Sequence, residues 1–389
     1  MLKGSLMPSQ VVIVGGGVGG LVAANELQGK VGGKASVTLI DRKARFQFPP
    51  SFPWVVMGSR TPQQIERDVG LLERKGIRVL QDEVVGLDLV GKSVRTVRGQ
   101  VPYDHLVIAL GAGYAHESVP GLREHAHHMY DLDSAVRLRD AVAGFQGGTV
   151  AIGIARLPFK CPAAPYELAL LLDDSFRRRG VRAEVRIEFF TPEGAPLPAA
   201  GPENGGKVLA MLQERGIAYH PKRKLKEVGP RSLTFEEGEP LPFDLLICVP
   251  PHRAPKPVVD AGLTDASGWV PVDPGTLQTE QSGVFAIGDV TALATPNGYV
   301  PLLPKAGVFA SGQGKVVAHN LAVKITGRGR SQTWDGYGTC FLETGKGKSA
   351  FMAGNFLAAP RPTLKLRGPS AIYHTQKVLF EKYWLRHWF

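Results

Sequence analysis

The chain has 389 residues, 43% hydrophobic and 21% charged, which supplies two or three domains with buried cores and excludes a disordered chain. A net charge of +11 admits anionic partners, but the basic residues are scattered and form no recognition motif, so no nucleic-acid binding is expected. Three cysteines, at 161, 248 and 340, exclude a disulfide-stapled scaffold and a CxxC zinc site, and no metal is expected.

Met1 to Gln10 is too short and polar for a signal peptide. No apolar run approaches the roughly 18 residues of a membrane span. Gln10 to Val14 reads as a buried parallel strand, Gly15 to Gly20 as a tight turn and Leu21 to Leu27 as a helix. Val37 to Ile40 is the next strand, and Asp41 stands at its end. Gly15, Gly17 and Gly20 fit GxGxxG. The first allows the turn, the second lets the backbone approach a pyrophosphate, and the third lets helix pack on strand. Asp41, about 20 residues further on, suits the hydroxyls of an adenosine ribose.

A second α/β layer opens with the strand Thr149 to Ile152. Gly153-Ile154-Ala155-Arg156-Leu157-Pro158 follows, where a nicotinamide-binding chain would place a second glycine-rich loop. Only the first glycine is present, and the side chains of Ala155 and Pro158 would crowd a pyrophosphate. Pro162 to Arg179 reads as a helix, with Ala164, Leu168, Leu171, Leu172 and Phe176 on one side. Cys161 at its N-terminus, beside Lys160, is expected to have a lowered thiol pKa. The alternative is a small buried residue packing a turn. Leu245 to Val249 is a buried strand in which Cys248 reads as structural. Val284 to Asp289 is a further strand and Val308 to Leu321 a helix. From about Gly327 the chain is a small separate unit, with Cys340 in a loop-like glycine context.

Tyr103 to Gly113 and Gly283 to Val290 resemble conserved segments of the two-dinucleotide-fold flavoproteins. The resemblance implies an α/β fold with two Rossmann-like three-layer domains and a small C-terminal α+β unit ending in an amphipathic helix. The expected parts are an FAD-binding domain from residues 1–115 and 265–325, a second domain without a nucleotide site from 116–264, and a C-terminal unit from 326–389. It also implies that Ala109 and Gly111 turn near FAD, that Gly288 and Asp289 meet its ribityl and pyrophosphate groups, and that Arg42 and Val84 join the cofactor site. No cysteine precedes residue 161, so the FAD is expected to be non-covalent.

Longer pieces make the likeness narrower. Phe46 to Gly58, CPAAPYE at Cys161, CVPPHRAP at Cys248, PLLPKAGVFASGQGKVVAHN and GTCFLETG around Cys340 resemble the sulfide:quinone oxidoreductase family. The resemblance implies a redox pair of Cys161 and Cys340 over the flavin, which takes sulfur from hydrosulfide and passes electrons to FAD and then quinone. By the same likeness, Glu167 relays protons or simply stabilises its helix, and Lys305 faces the flavin pyrimidine or is a surface lysine. His127 and His128 read as surface residues. The chain departs from many members in lacking a third cysteine before Cys161. Other readings are a flavin subunit of a flavocytochrome c-type sulfide dehydrogenase, a type II NADH:quinone oxidoreductase, and a non-enzymatic flavin or sulfur sensor.

At the C-terminus, Phe380, Tyr383, Trp384 and Trp388 share one helical face, while Lys377, Lys382 and Arg386 lie elsewhere. The pattern suits an interfacial helix that holds the protein peripherally on the cytoplasmic face of the cell membrane. A docked C-terminal helix or a homo-oligomer contact is the alternative.

Overall fold

The computed structural model describes residues 8–389. Most of the Met1 to Gln10 segment considered as a leader lies outside the described residues. Five parallel strands form the first sheet, in the order Val284–Ala286, His105–Ile108, Ser9–Val14, Ala35–Asp41, Arg78–Gln81. Val11 to Val14 are buried on both faces, which is why the central strand is an unbroken aliphatic run. The helix Val18–Val31 packs on the helix Gly307–Thr326. Their backbones touch at Gly314, where an added Cβ would stand 2.7 Å from the carbonyl oxygen of Gly19.

Four parallel strands form the second sheet, in the order Ile217–His220, Val185–Phe190, Gly148–Ile154, Leu245–Val249. The helix Ala164–Arg178 lies against it and begins two residues later than its sequence suggests. Its inner side carries the apolar stripe, yet Asp173 is also buried, held by Arg177, Arg182 and Arg215 at 2.9, 2.6 and 3.1 Å. The last unit is an antiparallel sheet of Tyr337–Gly345, Lys348–Asn355 and Lys365–Ser370, followed by the helix Ala371–His387. Cys340 therefore sits on a strand rather than in a loop. That strand packs against the helix Ala164–Arg178, which carries the third unit onto the second.

No helix among the described residues is long and apolar enough to cross a membrane. None of their His, Cys, Asp and Glu side chains group to hold a metal ion.

Candidate active site

A cavity of about 1610 Å³ runs between the three units. One end is a cradle built from backbone. Gly15 has φ +102°, and an added Cβ would meet the Ala109 carbonyl oxygen at 2.3 Å. A Cβ on Gly20 would meet the Gly15 carbonyl oxygen at 1.9 Å, whereas Gly17 has nothing within 4 Å. Gly15 and Gly20 thus serve the turn, and Gly17 leaves room for a ligand. Gly17 is also the N-cap of the helix Val18–Val31 without a side-chain cap, so the first N–H groups remain for an anion. Asp41 accepts from Gly16 N at 2.5 Å and Lys43 N at 2.7 Å, and it lines the cavity with Arg42 and Val84.

Farther in, Ala109, Gly111, Gly288 and Asp289 line the wall. Gly288 N donates to the Gln313 Oε1 at 2.6 Å. Asp289 Oδ1 is buried and has no hydrogen-bond partner among the described residues. A buried carboxylate oxygen without a donor is costly, and a ligand hydroxyl is the partner it lacks. Burial pushes the Asp289 carboxyl above the usual range, against the pull of Lys160 and Lys305. These features fit a dinucleotide with a hydroxylated chain.

The lining of the same cavity includes Cys161, Glu167, Cys340 and Lys377. Cys161 and Cys340 thus come together from two different units, and a charge on Cys161 raises the proton affinity of Cys340. Cys161 has accessible surface, but it opens into the internal cavity. Its thiol is pushed up to about 12, by burial first and then by Glu167, while Lys377 pulls it down. This corrects the expectation of a lowered pKa. The helix N-cap is Ala163, and Cys161 lies outside the first turn at φ +55° with its N–H donating to the Lys305 carbonyl oxygen at 2.7 Å. Burial raises Cys340 as well. Both thiols are free in this structure, and Cys248 is buried on its strand apart from them.

The second sheet offers no matching cradle. After the strand Gly148–Ile154 the chain does not enter a helix until Ala164. Ala155 is fully buried, and Arg156 Nη1 donates to the Ala155 carbonyl oxygen at 2.9 Å and also to that of Leu225.

The chain matches the pyridine nucleotide-disulphide oxidoreductase family over residues 9–314. It belongs to that family. Within it, the similarity is to sulfide:quinone oxidoreductases. The mitochondrial sulfide:quinone oxidoreductase of Mus musculus is 26% identical over 369 residues, 91% of this chain and 80% of that protein. The sulfide-quinone reductase of Aquifex aeolicus is 26% identical over 399 residues, 97% of this chain and 91% of that one. The crystal structure of the sulfide:quinone oxidoreductase from Aquifex aeolicus superposes with a TM-score of 0.89 at 25% identity, covering 98% of this chain and 92% of that one. The cofactor of this pyridine nucleotide-disulphide oxidoreductase is FAD.

Several members of the site depart from their sequence expectations. Lys305 is neither a surface residue nor a cavity cation. Its backbone pairs with that of Lys160, and its side chain is buried away from the cavity lining. There the ammonium lies 3.3 Å from the Trp269 ring centroid and donates to the carbonyl oxygens of Asp289 at 2.6 Å and Thr291 at 3.2 Å. Burial pushes it down to about 7, opposed by Asp289. Lys160 instead lines the cavity and donates to the Tyr114 hydroxyl at 2.8 Å. His128 is buried rather than on the surface, 3.4 Å from His116, and burial lowers it to about 4.

The C-terminal helix is rotated from its expected setting. Its buried face is Lys377, Glu381, Trp384, Leu385 and Trp388. Trp384 stacks on Phe46 at 4.6 Å between centroids. Lys377 pairs with Glu167 at 2.6 Å, and Glu381 with Arg60 at 2.9 Å. Both charges are buried with a partner, so polarity failed to mark the outer face. Phe380, Tyr383, Trp384, His387 and Trp388 line the cavity where it reaches this helix.

Proposed function

We propose that this flavoprotein oxidises sulfide to zero-valent sulfur or polysulfide at the Cys161–Cys340 pair and passes the electrons through FAD to a membrane quinone. The observation that carries the reading is that two cysteines from separate units line the same cavity as the dinucleotide cradle. The balance is HS⁻ + quinone + H⁺ → S⁰ + quinol.

In the oxidised pair, HS⁻ attacks Sγ of Cys340 and the S–S bond breaks. Its electron pair leaves on Cys161, where Lys377 stabilises the thiolate. The S–H proton goes to Glu167, whose carboxyl burial holds above the usual range while Lys377 pulls it back. Two electrons then leave as Cys161 closes on the persulfide sulfur, which stays bridged between the two cysteines until the next hydrosulfide releases it. Bound FAD supplies the two-electron acceptor between the sulfur chemistry and quinone. The aromatic end of the cavity, with Phe341, Phe380 and Tyr383, suits a quinone ring. Cys161, Cys340 and Glu167 are the proposed catalytic residues, with Gly15, Gly17, Gly20, Asp41, Arg42, Val84, Ala109, Gly111, Gly288 and Asp289 around the cofactor. Lys305 positions Cys161 through its backbone rather than holding FAD with its charge.

Membrane contact is assigned to the helix Ala371–His387, on the cytoplasmic face. Ile372, Leu379 and Tyr383 form its outward stripe, 66%, 59% and 58% exposed, with Phe380 beside them. This apolar stripe at the cavity end suits an interfacial helix from which a bilayer quinone enters. Ala155 and Pro158 in place of glycines, and a helix that starts only at Ala164, disfavour the NADH-dependent reading.

Turnover of the purified holoenzyme with sulfide and a short-chain quinone tests the activity. Quinol formation is expected, falling to background in Cys161→Ser and in Cys340→Ser. Full turnover in either variant would overturn the role of the pair.

A further inference from the structure

Behind the cysteines lies a chain of titratable groups running out to the surface. Glu167 Oε1 accepts from Lys377 Nζ at 2.6 Å. Lys377 Nζ is 4.0 Å from Glu343 Oε1. Glu343 Oε2 is 2.9 Å and Oε1 3.1 Å from His374 Nδ1. The first three side chains are 5% exposed or less, whereas that of His374 is 33% exposed. The four come from three elements: the helix Ala164–Arg178, the strand Tyr337–Gly345 and the helix Ala371–His387. Glu167 and Lys377 line the cavity, and His374 is the end that meets water.

Charge bookkeeping gives this chain a function. Two buried carboxylates face one buried ammonium. With both ionised and His374 neutral, one negative charge is left in a water-poor place, which is strongly unfavourable. The cluster therefore holds an exchangeable proton, shared among Glu167, Glu343 and His374. Other groups facing it do not cancel that charge. The Trp54 ring flanks it, 4.7 Å from Lys377 Nζ and 6.0 Å from the His374 ring. The Arg60–Glu381 pair next along the helix is already matched. The Cys161 and Cys340 thiols are neutral when protonated.

We propose that His374, Glu343, Lys377 and Glu167 form a proton relay between bulk water and the cavity wall that carries the cysteines. The inference deepens the proposed reaction, which takes up one net proton per turnover. Protons enter at His374 and pass to Glu343. Lys377, lying between two carboxylates, delivers one proton to Glu167 and is reprotonated from Glu343. His374 and Glu343 act through the inner pair and touch no substrate.

The test uses the holoenzyme and two reductants. Rapid reduction with reduced methyl viologen, which donates electrons without protons, followed by a fluorescent pH indicator, reads proton uptake without sulfide chemistry; steady-state turnover with sulfide and quinone reads the full reaction. In His374→Gln, proton uptake is expected to slow by about tenfold to a hundredfold, the lower range of general acid–base contributions. Added imidazole should restore it with increasing concentration, with the flavin spectrum unchanged. Glu343→Gln should slow it as much and resist imidazole, because the link inward of the histidine is broken. Unchanged uptake in both variants would overturn the relay, as would a loss in His374→Gln that imidazole leaves untouched. Slowed, imidazole-rescued uptake in a protein that sulfide does not reduce would keep the relay and remove the proposed activity.

Discussion

The first and second parallel sheets share an architecture, and each has a buried strand from which the chain turns toward a helix. After Val14 the chain turns through Gly15 to Gly17 straight into a helix whose first N–H groups have no side-chain cap. After Ile154 it meets Ala155, buried, and Arg156, whose guanidinium donates to the carbonyl oxygens of Ala155 and Leu225. The helix then starts only at Ala164, and the intervening stretch delivers Cys161 to the cavity. A nucleotide site and a thiol site are thus alternative uses of one position, the turn after the first strand. What decides between them is whether a backbone can approach there.

That contrast can be broken at its strong end first. Gly15→Val places side-chain atoms against the Ala109 carbonyl, already 2.3 Å from an ideal Cβ, at φ +102°. The expected outcome is protein purified without flavin absorbance and with a lowered melting temperature; retained stoichiometric flavin would contradict the cradle. The second unit is expected to break differently, through charge. Asp173→Asn leaves three guanidiniums around a neutral amide and should cost about 3 kcal/mol in denaturant unfolding. Burial works to raise the Asp173 carboxyl, but the arginines hold it below the usual range. A depressed folded pKa gives stability that is present above the unfolded value, about 3.9, and is lost as pH falls through the folded value. The variant should therefore show a flatter acid limb than the parent. The smallest effect sharpens the first unit. Asp289→Ala removes the buried acceptor and should weaken flavin binding about tenfold, read by release of flavin fluorescence on dilution.

Much of this was legible in the sequence because it rests on backbone rules. Gly15, Gly17 and Gly20 state where the chain must turn and where a ligand can approach, and the aliphatic runs state which strands are buried. The family resemblance named both cysteines, which spacing alone could not bring together. The thiol chemistry was misread because the helix starts at Ala164 instead of Pro162, so the dipole and burial traded places in the balance. Lys377 and Glu381 were hidden for a related reason. Together with Trp384 and Trp388 they follow i, i+4, i+7, i+11 spacing, but hydrophobicity cannot mark a face whose charges are paired across units. Lys305 was not legible as a buried cation because the partners that hold it, the Trp269 ring and the carbonyl oxygens of Asp289 and Thr291, are brought together only by the fold.

The central claim is that electrons enter this flavoprotein from sulfide through Cys161 and Cys340 and not from a nicotinamide. Anaerobic titration of the holoenzyme, following flavin absorbance, tests it directly. Sulfide should bleach the flavin stoichiometrically in the parent and fail in Cys161→Ser, while NADH leaves the absorbance unchanged. Bleaching by NADH with sulfide inert would contradict the account.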